Sequence, residues 1–411
     1  ITEDDLTSGA LCFMLNNYKN GGKPWTQTLG TDNCPKPVAG GDAVYAIGSL
    51  ACDGTAASTL TYSNTEGELT QAEHAYGADG VCANCGGRKI STPSQLLALS
   101  EDIGSGFANS NINVVLANDL DMSEITEYRG IGTEAFPFTG KFDGQGHVIS
   151  NLVINAPDES YQGLFGVINN GAEIRNVTVD STCSITANAY AAGIAACSNG
   201  TGIVIIENCG NEADITVTGK GVNAAGILGV NMGSSVIVRI TNCYNTGDIA
   251  GKKENAAICG WLGSAAEVNN CYSTGTIKGV DGDKTFARFN TAPTYSRCYE
   301  TRGKQVTVVT DEEVANGKLC WLLNNEVSGG ENFFQTLGTD THPVLFTTHQ
   351  KVFEVNGNFT NDVVGIKDAT AKPAKGAERI YSVDGMRLQG LQKGINIIRK
   401  ADGTTQKVFV K

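Results

Sequence analysis

Proline is scarce, at 9 of 411 residues, and histidine and methionine are scarcer, at 4 each. With 51 glycines but no glycine at every third position, a collagen-like chain is excluded. Basic residues are outnumbered, 30 Lys and Arg against 43 Asp and Glu, giving a net charge of -13 and a pI near 4.8. A chain this acidic is repelled by phosphate backbones and anionic lipid, which argues against nucleic acid as a partner. No apolar run approaches the roughly 20 residues that a membrane-spanning helix needs, so membrane insertion is not expected. Ile1 opens the chain with neither an initiator Met nor a secretory signal, as a processed form would. The four histidines fall in no His-Glu-x-x-His spacing, and neither a Gly-x-Ser-x-Gly elbow nor a Walker loop occurs. What is abundant is apolar sequence with little charge, 41% against 18%, in short runs broken by Gly, Asn and Asp. Such a chain can bury a core and reads as mainly β.

Its dominant feature is repetition. The phrases Ile149-Ser-Asn-Leu152, Ile174-Arg-Asn-Val177, Ile206-Glu-Asn-Cys209, Ile240-Thr-Asn-Cys243, Val268-Asn-Asn-Cys271 and Tyr295-Ser-Arg-Cys298 recur at steps of 25, 32, 34, 28 and 27 residues. A second marker, at Gly163, Gly193, Gly226 and Ala257, opens a short apolar strand in each unit. Three short strands and three turns per unit make a triangular coil, and coils stacked in register make a right-handed parallel β-helix. Five ladder steps at about 4.8 Å span roughly 24 Å. Equivalent residues then lie above one another: Asn151, Asn176, Asn208, Asn242 and Asn270 as a hydrogen-bonded ladder, and Cys209, Cys243, Cys271 and Cys298 as an inward file of small apolar side chains. Stacking alone does not give the geometry a disulfide needs, so bridges along the file are disfavoured.

The stretch "FTGKFDGQGHVISNLVI" followed by "YQGLFGVINNGAEIRNVTV" resembles the GLUG-type repeats of bacterial surface proteins, over about residues 91–309. That resemblance implies a secreted or surface-anchored, adhesin-like polypeptide.

An open β-helix needs its exposed strand edges covered. Thr92-Pro93-Ser94-Gln95 before "LLALSEDI" carries an N-cap Thr, a Pro at the first helical position and a capping-box Gln, and predicts a helix over the first coil. Residues 2–48 align without a gap to 310–356 at an offset of 308, through Leu11-Cys12 and Leu319-Cys320, Asn16-Asn17 and Asn324-Asn325, and a shared Gln-Thr-Leu-Gly-Thr-Asp. This is a small α+β module present twice, each copy opening on an N-cap Thr, Thr2 or Thr310, and acidic first-turn residues. The second copy is expected to cap the last coil, with Trp321, Phe333 and Phe334 as the plug. Trp25 and Phe333 read as packing aromatics in preference to sugar-stacking platforms. The first copy has no coil before it, and reads as the cap of a preceding rod or as an independent unit.

"HAYGADGVCANCGG" supplies the one ligand-like constellation. Cys82-x-x-Cys85-Gly has the shape of a zinc knuckle, and with Cys52 and His74 would close a tetrahedral, structural Cys3His zinc site. A Cys82–Cys85, Cys34–Cys52 or Cys52–Cys82 disulfide is an equal alternative in an oxidising exterior. A short, core-poor segment calls for one staple or the other.

After the linker "KDATAKPAKGAE" (367–378), the chain ends in strands broken at Asp384-Gly385, Lys393-Gly394 and Asp402-Gly403, an antiparallel meander. The Tyr-Ser-x-x-Gly and Lys-Gly-Ile-x-Ile-Ile phrases of the last 35 or so residues are similar to the C-terminal sorting domains of type IX secretion, which implies export.

The expected organisation is an N-terminal module with its Cys/His segment (1–90), a parallel β-helix (91–309), the second module (310–365), and a linker with a terminal β-domain (366–411). The expected function is a non-enzymatic, adhesin-like protein, secreted or on the outer surface, that binds glycan or a host surface protein; no motif specifies an oligomeric state. β-Helices also include polysaccharide lyases and glycosidases, but Asp119, Asp121 and Asp143 lack an identifiable carboxylate partner across a cleft and read as solvated side chains. A polysaccharide-degrading enzyme and a purely structural stalk are the alternatives.

Overall fold

The computed structural model describes residues 1–411 except 38–39, 55–59, 221–222, 234, 264, 281, 283, 291, 363–378, 384, 401–403 and 411. The linker and the Asp384-Gly385 and Asp402-Gly403 turns lie wholly or partly outside the described residues.

Between residues 88 and 309 the chain winds as a parallel β-helix with three strand faces. The first face runs from Arg88–Ile90 through Asn113–Leu116, Lys141–Ser150, Glu173–Val179 and Thr201–Asn211 to Tyr244–Asn245, Tyr272–Ser273, Tyr299–Glu300 and Thr307–Val308. The second includes Val153–Gln162, Ser184–Ala192, Asp214–Val217 and Ile249–Ala250, and the third runs from Phe165–Ile168 to Ala287–Phe289. Like stacks on like: Ile174 pairs with Ile206, Ile206 with Ile240, Ile240 with Val268, and Val268 with Tyr295. The expected mainly β, parallel β-helix architecture is what the chain adopts.

In four of the six phrases the asparagines, Asn176, Asn208, Asn242 and Asn270, do two jobs. Their side chains are hydrogen-bonded in a ladder from Asn176 to Asn270, Asn208 Nδ2 donating to Asn176 Oδ1 (2.8 Å), Asn242 to Asn208 (2.9 Å) and Asn270 to Asn242 (2.7 Å). They also turn the corner, because Asn176, Asn208, Asn242, Asn270 and Arg297 all sit in the left-handed region with φ of 49–56°. Asn151, expected as the first rung, does not belong to this corner: Phe142 pairs with Ile174 and Ile149 with Val179, so Gln145 (φ 55°) takes the place next to Asn176, and Asn151 Nδ2 donates to Asp121 Oδ1 at 2.9 Å. Asn tolerates the left-handed region better than other residues with a Cβ. The next residue points inward. Cys209, Cys243, Cys271 and Cys298 are 0–4% exposed, and each thiol donates to a carbonyl of the preceding coil, those of Ile174, Ile206, Ile240 and Val268, at 3.3–3.7 Å. Burial pushes the Cys243 thiol up. All thirteen cysteines are free thiols.

A second, buried amide file was not foreseen. Asn211 and Asn245 are fully buried, Asn211 Nδ2 donating to Asn245 Oδ1 (2.8 Å) and to Ala213 O (2.9 Å). They lie where a Cβ on Gly193 or Gly226 would stand, which accounts for glycine in those strand-opening phrases.

The helix Pro93–Gly104 closes the first coil as expected. Thr92 Oγ1 accepts from Gln95 N while Gln95 Oε1 accepts from Thr92 N, and Leu96, Leu99 and Ile103 are buried against the coil. The other end departs from expectation. The second module packs on the flank of the β-helix, where Tyr244, Tyr272 and Tyr299 share a core with Val314, Leu319, Leu323 and Phe333. Phe333 meets Tyr272 edge-on at 5.8 Å, and Trp321 turns to Phe359 (5.7 Å) instead of plugging the coil. The cause lies one residue past Cys243, Cys271 and Cys298, where an outward tyrosine makes the flank apolar. The final coil is finished by Gln305, whose Oε1 accepts from Phe286 N (2.8 Å) and Ala287 N (3.1 Å) and whose Nε2 donates to Tyr295 Oη (3.0 Å).

The two modules have matching interiors. Asn16 Nδ2 donates to Trp25 O (2.8 Å) and Asn16 Oδ1 accepts from Trp25 N (3.1 Å); Asn324 makes the same pair with Phe333 (2.7 and 3.0 Å). Gln27 reaches Leu6 O (2.7 Å) as Gln335 reaches Val314 O (2.9 Å). At the far end Arg387–Leu388, Arg379–Ser382, Gly394–Arg399 and Thr405–Val410 form an antiparallel sheet in that order.

Candidate functional site

Two places bring polar groups together. The first is a groove of about 1070 Å³ between the ladder corner of the β-helix and the second module. Its floor is the row Asn176, Asn208 and Asn242. Each of these amides spends one N–H on the ladder, so each retains a second donor. The ladder starts on Asp143 Oδ1, which accepts from Asn176 Nδ2 (2.9 Å) and from Gln145 N (2.9 Å). Asp119 Oδ1 lies 3.0 Å from His147 Nδ1 and accepts from Val148 N at 3.0 Å. Phe334, Leu345 and Phe346 supply the apolar wall, with Phe346 over the turn at Gly146. His349, paired with Asp340 at 2.7 Å, borders that wall.

Of the acidic residues weighed from sequence, Asp119 and Asp143 come into the groove together with Glu207 and Glu331. Asp121 does not line it; it receives Asn151 Nδ2 at 2.9 Å, which with Ser123 holds its carboxyl below the usual range. Sequence reasoning missed Phe346 and His349, whose segment meets the 143–148 turn only through the docking of the second module.

The second place is the Cys/His segment. The donor atoms of Cys52, His74, Cys82 and Cys85 all lie within 4.8 Å of one another. Cys52 Sγ is 3.7 Å from Cys82 Sγ, and Cys85 Sγ is 3.4 Å from His74 Nδ1. These sulfurs are too far apart for the roughly 2.05 Å of a disulfide bond. The turn is closed by Gly86 N donating to Cys82 O and Cys82 N to Gly87 O, both 2.8 Å, with Gly86 at φ 73°. Gly87 N points at Cys85 Sγ (3.4 Å). Burial works to raise both inner thiols. For Cys52 it prevails, with Cys85 and Cys82 adding to it, and the thiol is pushed up to about 12. For Cys82 it is outweighed by His74 and the amides of Asn84 and Cys85, and the thiol is lowered to about 6. Three thiols and an imidazole that converge in this way are a borderline-soft donor set with tetrahedral capacity.

No family model matches the sequence. A curated relative, halomucin of Haloquadratum walsbyi, is 31% identical over 180 residues, covering 41% of this chain and 2% of that protein. The chain therefore spans about 2% of the length of that relative. A solved structure of a Bacteroides ovatus protein provisionally named an immunoglobulin A1 protease aligns at a TM-score of 0.42 and 18% identity, over 65% of this chain and 93% of that one. The class defined by the fold is a parallel β-helix protein. Among the described residues no helix is long and apolar enough to cross a membrane.

Proposed function

We propose that the chain is a non-enzymatic, adhesin-like protein, secreted or held on the outer cell surface, whose β-helix binds an uncharged glycan in the ladder groove. The observation that carries this reading is the combination of a row of free amide donors, fixed carboxylate acceptors and an aromatic wall in one open groove. Sugars present hydroxyls in fixed directions and one apolar ring face, and such a mixture satisfies both. Asp119 and Asp143 would repel acidic polysaccharides, while Glu207 and Glu331 are paired with Arg175 and Lys351. The GLUG-like phrases and the sorting-like tail support a surface or secreted location. In the N-terminal segment, Cys52, His74, Cys82 and Cys85 hold a structural zinc ion that staples it to the first coil.

The Asp119–His147 pair in the groove favours a polysaccharide-degrading enzyme as the second reading. Against it, the Asp143 oxygens are committed to three donors of the corner. Binding to an array of neutral and acidic glycans, with a reducing-end assay on the same ligands, separates the readings. Retention of neutral oligosaccharides without cleavage is expected, weakened about tenfold or more by Phe346→Ala. Cleavage that Asp143→Asn or His147→Gln abolishes would establish the enzyme, and binding to no glycan would leave the stalk.

A further inference from the structure

The two copies of the α+β module present the same apolar face, but only one of these faces is covered. In the second copy Val314, Leu319, Leu323 and Phe333 are 4%, 0%, 0% and 0% exposed, packed on the tyrosine flank. At the offset of 308 their counterparts are Leu6, Leu11, Leu15 and Trp25. Leu15 is 39% exposed, and Leu6, Leu11 and Trp25 are only half-buried. The frame beneath this face is shared: the Asn16 and Asn324 clamps match, and the Thr26–Lys36 bridge repeats as Phe334–Val344. Even the polar contact has its counterpart. The carbonyl of Pro343 accepts the Tyr272 hydroxyl, and Pro35 stands at the equivalent place.

We infer that the face of the first module formed by Leu6, Leu11, Leu15 and Trp25 is a docking surface for the stacked-tyrosine flank of a separate parallel β-helix. The occupant follows from the covered copy. There the partner surface is Tyr244 stacked on Tyr272 at 5.3 Å and 6°, continued by Tyr299, with hydroxyls that find a carboxylate and a carbonyl at the rim. A file of rings one coil apart gives the leucine and indole side chains a ridged apolar seat. Because this chain's own tyrosine file is already occupied, the surface that the first module seeks belongs to another rod. This inference does not depend on the glycan reading.

The test uses the full chain. Leu323→Asp with Phe333→Asp releases the second module and bares the tyrosine flank, and this open-flank chain is the probe. Mixed with the wild-type chain in sedimentation velocity, it should form a complex, which Leu15→Asp or Trp25→Asp in the wild-type partner weakens about tenfold or more. Absence of a complex, or one indifferent to Leu15→Asp, overturns the inference. Self-association of the wild-type chain alone that Leu15→Asp reverses overturns it in favour of a second copy as the occupant. Should the open-flank chain fail to fold, Val314→Leu with Phe333→Trp writes the first module's face into the second, since Leu319 and Leu323 already match Leu11 and Leu15. Amide exchange at residues 272–299 should then stay as slow as in wild type; exposure of that flank means the first face does not fit tyrosine.

Discussion

At the scale of residues, the recurring asparagine carries most of what distinguishes this chain. Its side-chain ladder follows from the repeat, whereas its left-handed backbone does not, since a hydrogen-bonding role and a conformational role call for the same letter. At the last step of the ladder corner Arg297, at φ 49°, turns the chain without continuing the amide file, bonding to Asn325 instead. The two roles separate by substitution. Asn208→Gly keeps the corner and loses the ladder bond, while Asn208→Ala loses both, so the alanine variant should be less stable by about a further 1 kcal/mol. The order of their thermal midpoints checks this; equal midpoints would mean the backbone role is minor. The Cys/His cluster was legible from Cys82-x-x-Cys85-Gly because a knuckle is local, although the reach back to Cys52 depended on the fold. Purified chain should carry one zinc ion per molecule by elemental analysis, with Cys85→Ala lowering that occupancy and the midpoint of the N-terminal segment together.

At the scale of elements, helix starts were the most readable features, since a cap is written within four residues. Thr2 with Asp5, Thr92 with Gln95 and Thr310 with Glu313 all close reciprocal capping boxes. In the second module Lys318 and the Thr310 amide hold the Glu313 carboxyl below its ordinary value. A carboxyl lowered on folding contributes stability above its unfolded pKa, near 4.3–4.5, and that contribution is lost as pH falls through the folded value. Acid should therefore loosen this helix start, and Glu313→Gln should flatten the response between about pH 5 and 3, read as Trp321 emission against pH. An unchanged profile in the variant would place the acid-sensitive contact elsewhere. The end of the coil was less readable. Gln305 is an isolated polar residue in sequence, and only its place beside the Phe286 and Ala287 amides, both of which donate to it, gives it meaning.

Across the whole molecule, the β-helix was legible because its period is written repeatedly, and the groove was not, because its two sides lie nearly two hundred residues apart in the chain. The outward tyrosines were in view all along in Cys-Tyr-Asn and Cys-Tyr-Ser, but a tyrosine that follows a cysteine says nothing of which module will cover it. Local pattern thus fixed the rod, and long-range docking decided what the rod carries. The left-handed corner has a further consequence. The intervals between Asn176, Asn208, Asn242, Asn270 and Arg297 range from 27 to 34 residues, yet every one returns the chain to the same backbone setting at that one vertex. That vertex behaves as a spine, and the other two absorb the differences in length. Segments spliced in at those loops, or complete coils gained and lost, would leave the alignment of the spine intact, so a lineage of such proteins could vary in reach and ornament while keeping one axis.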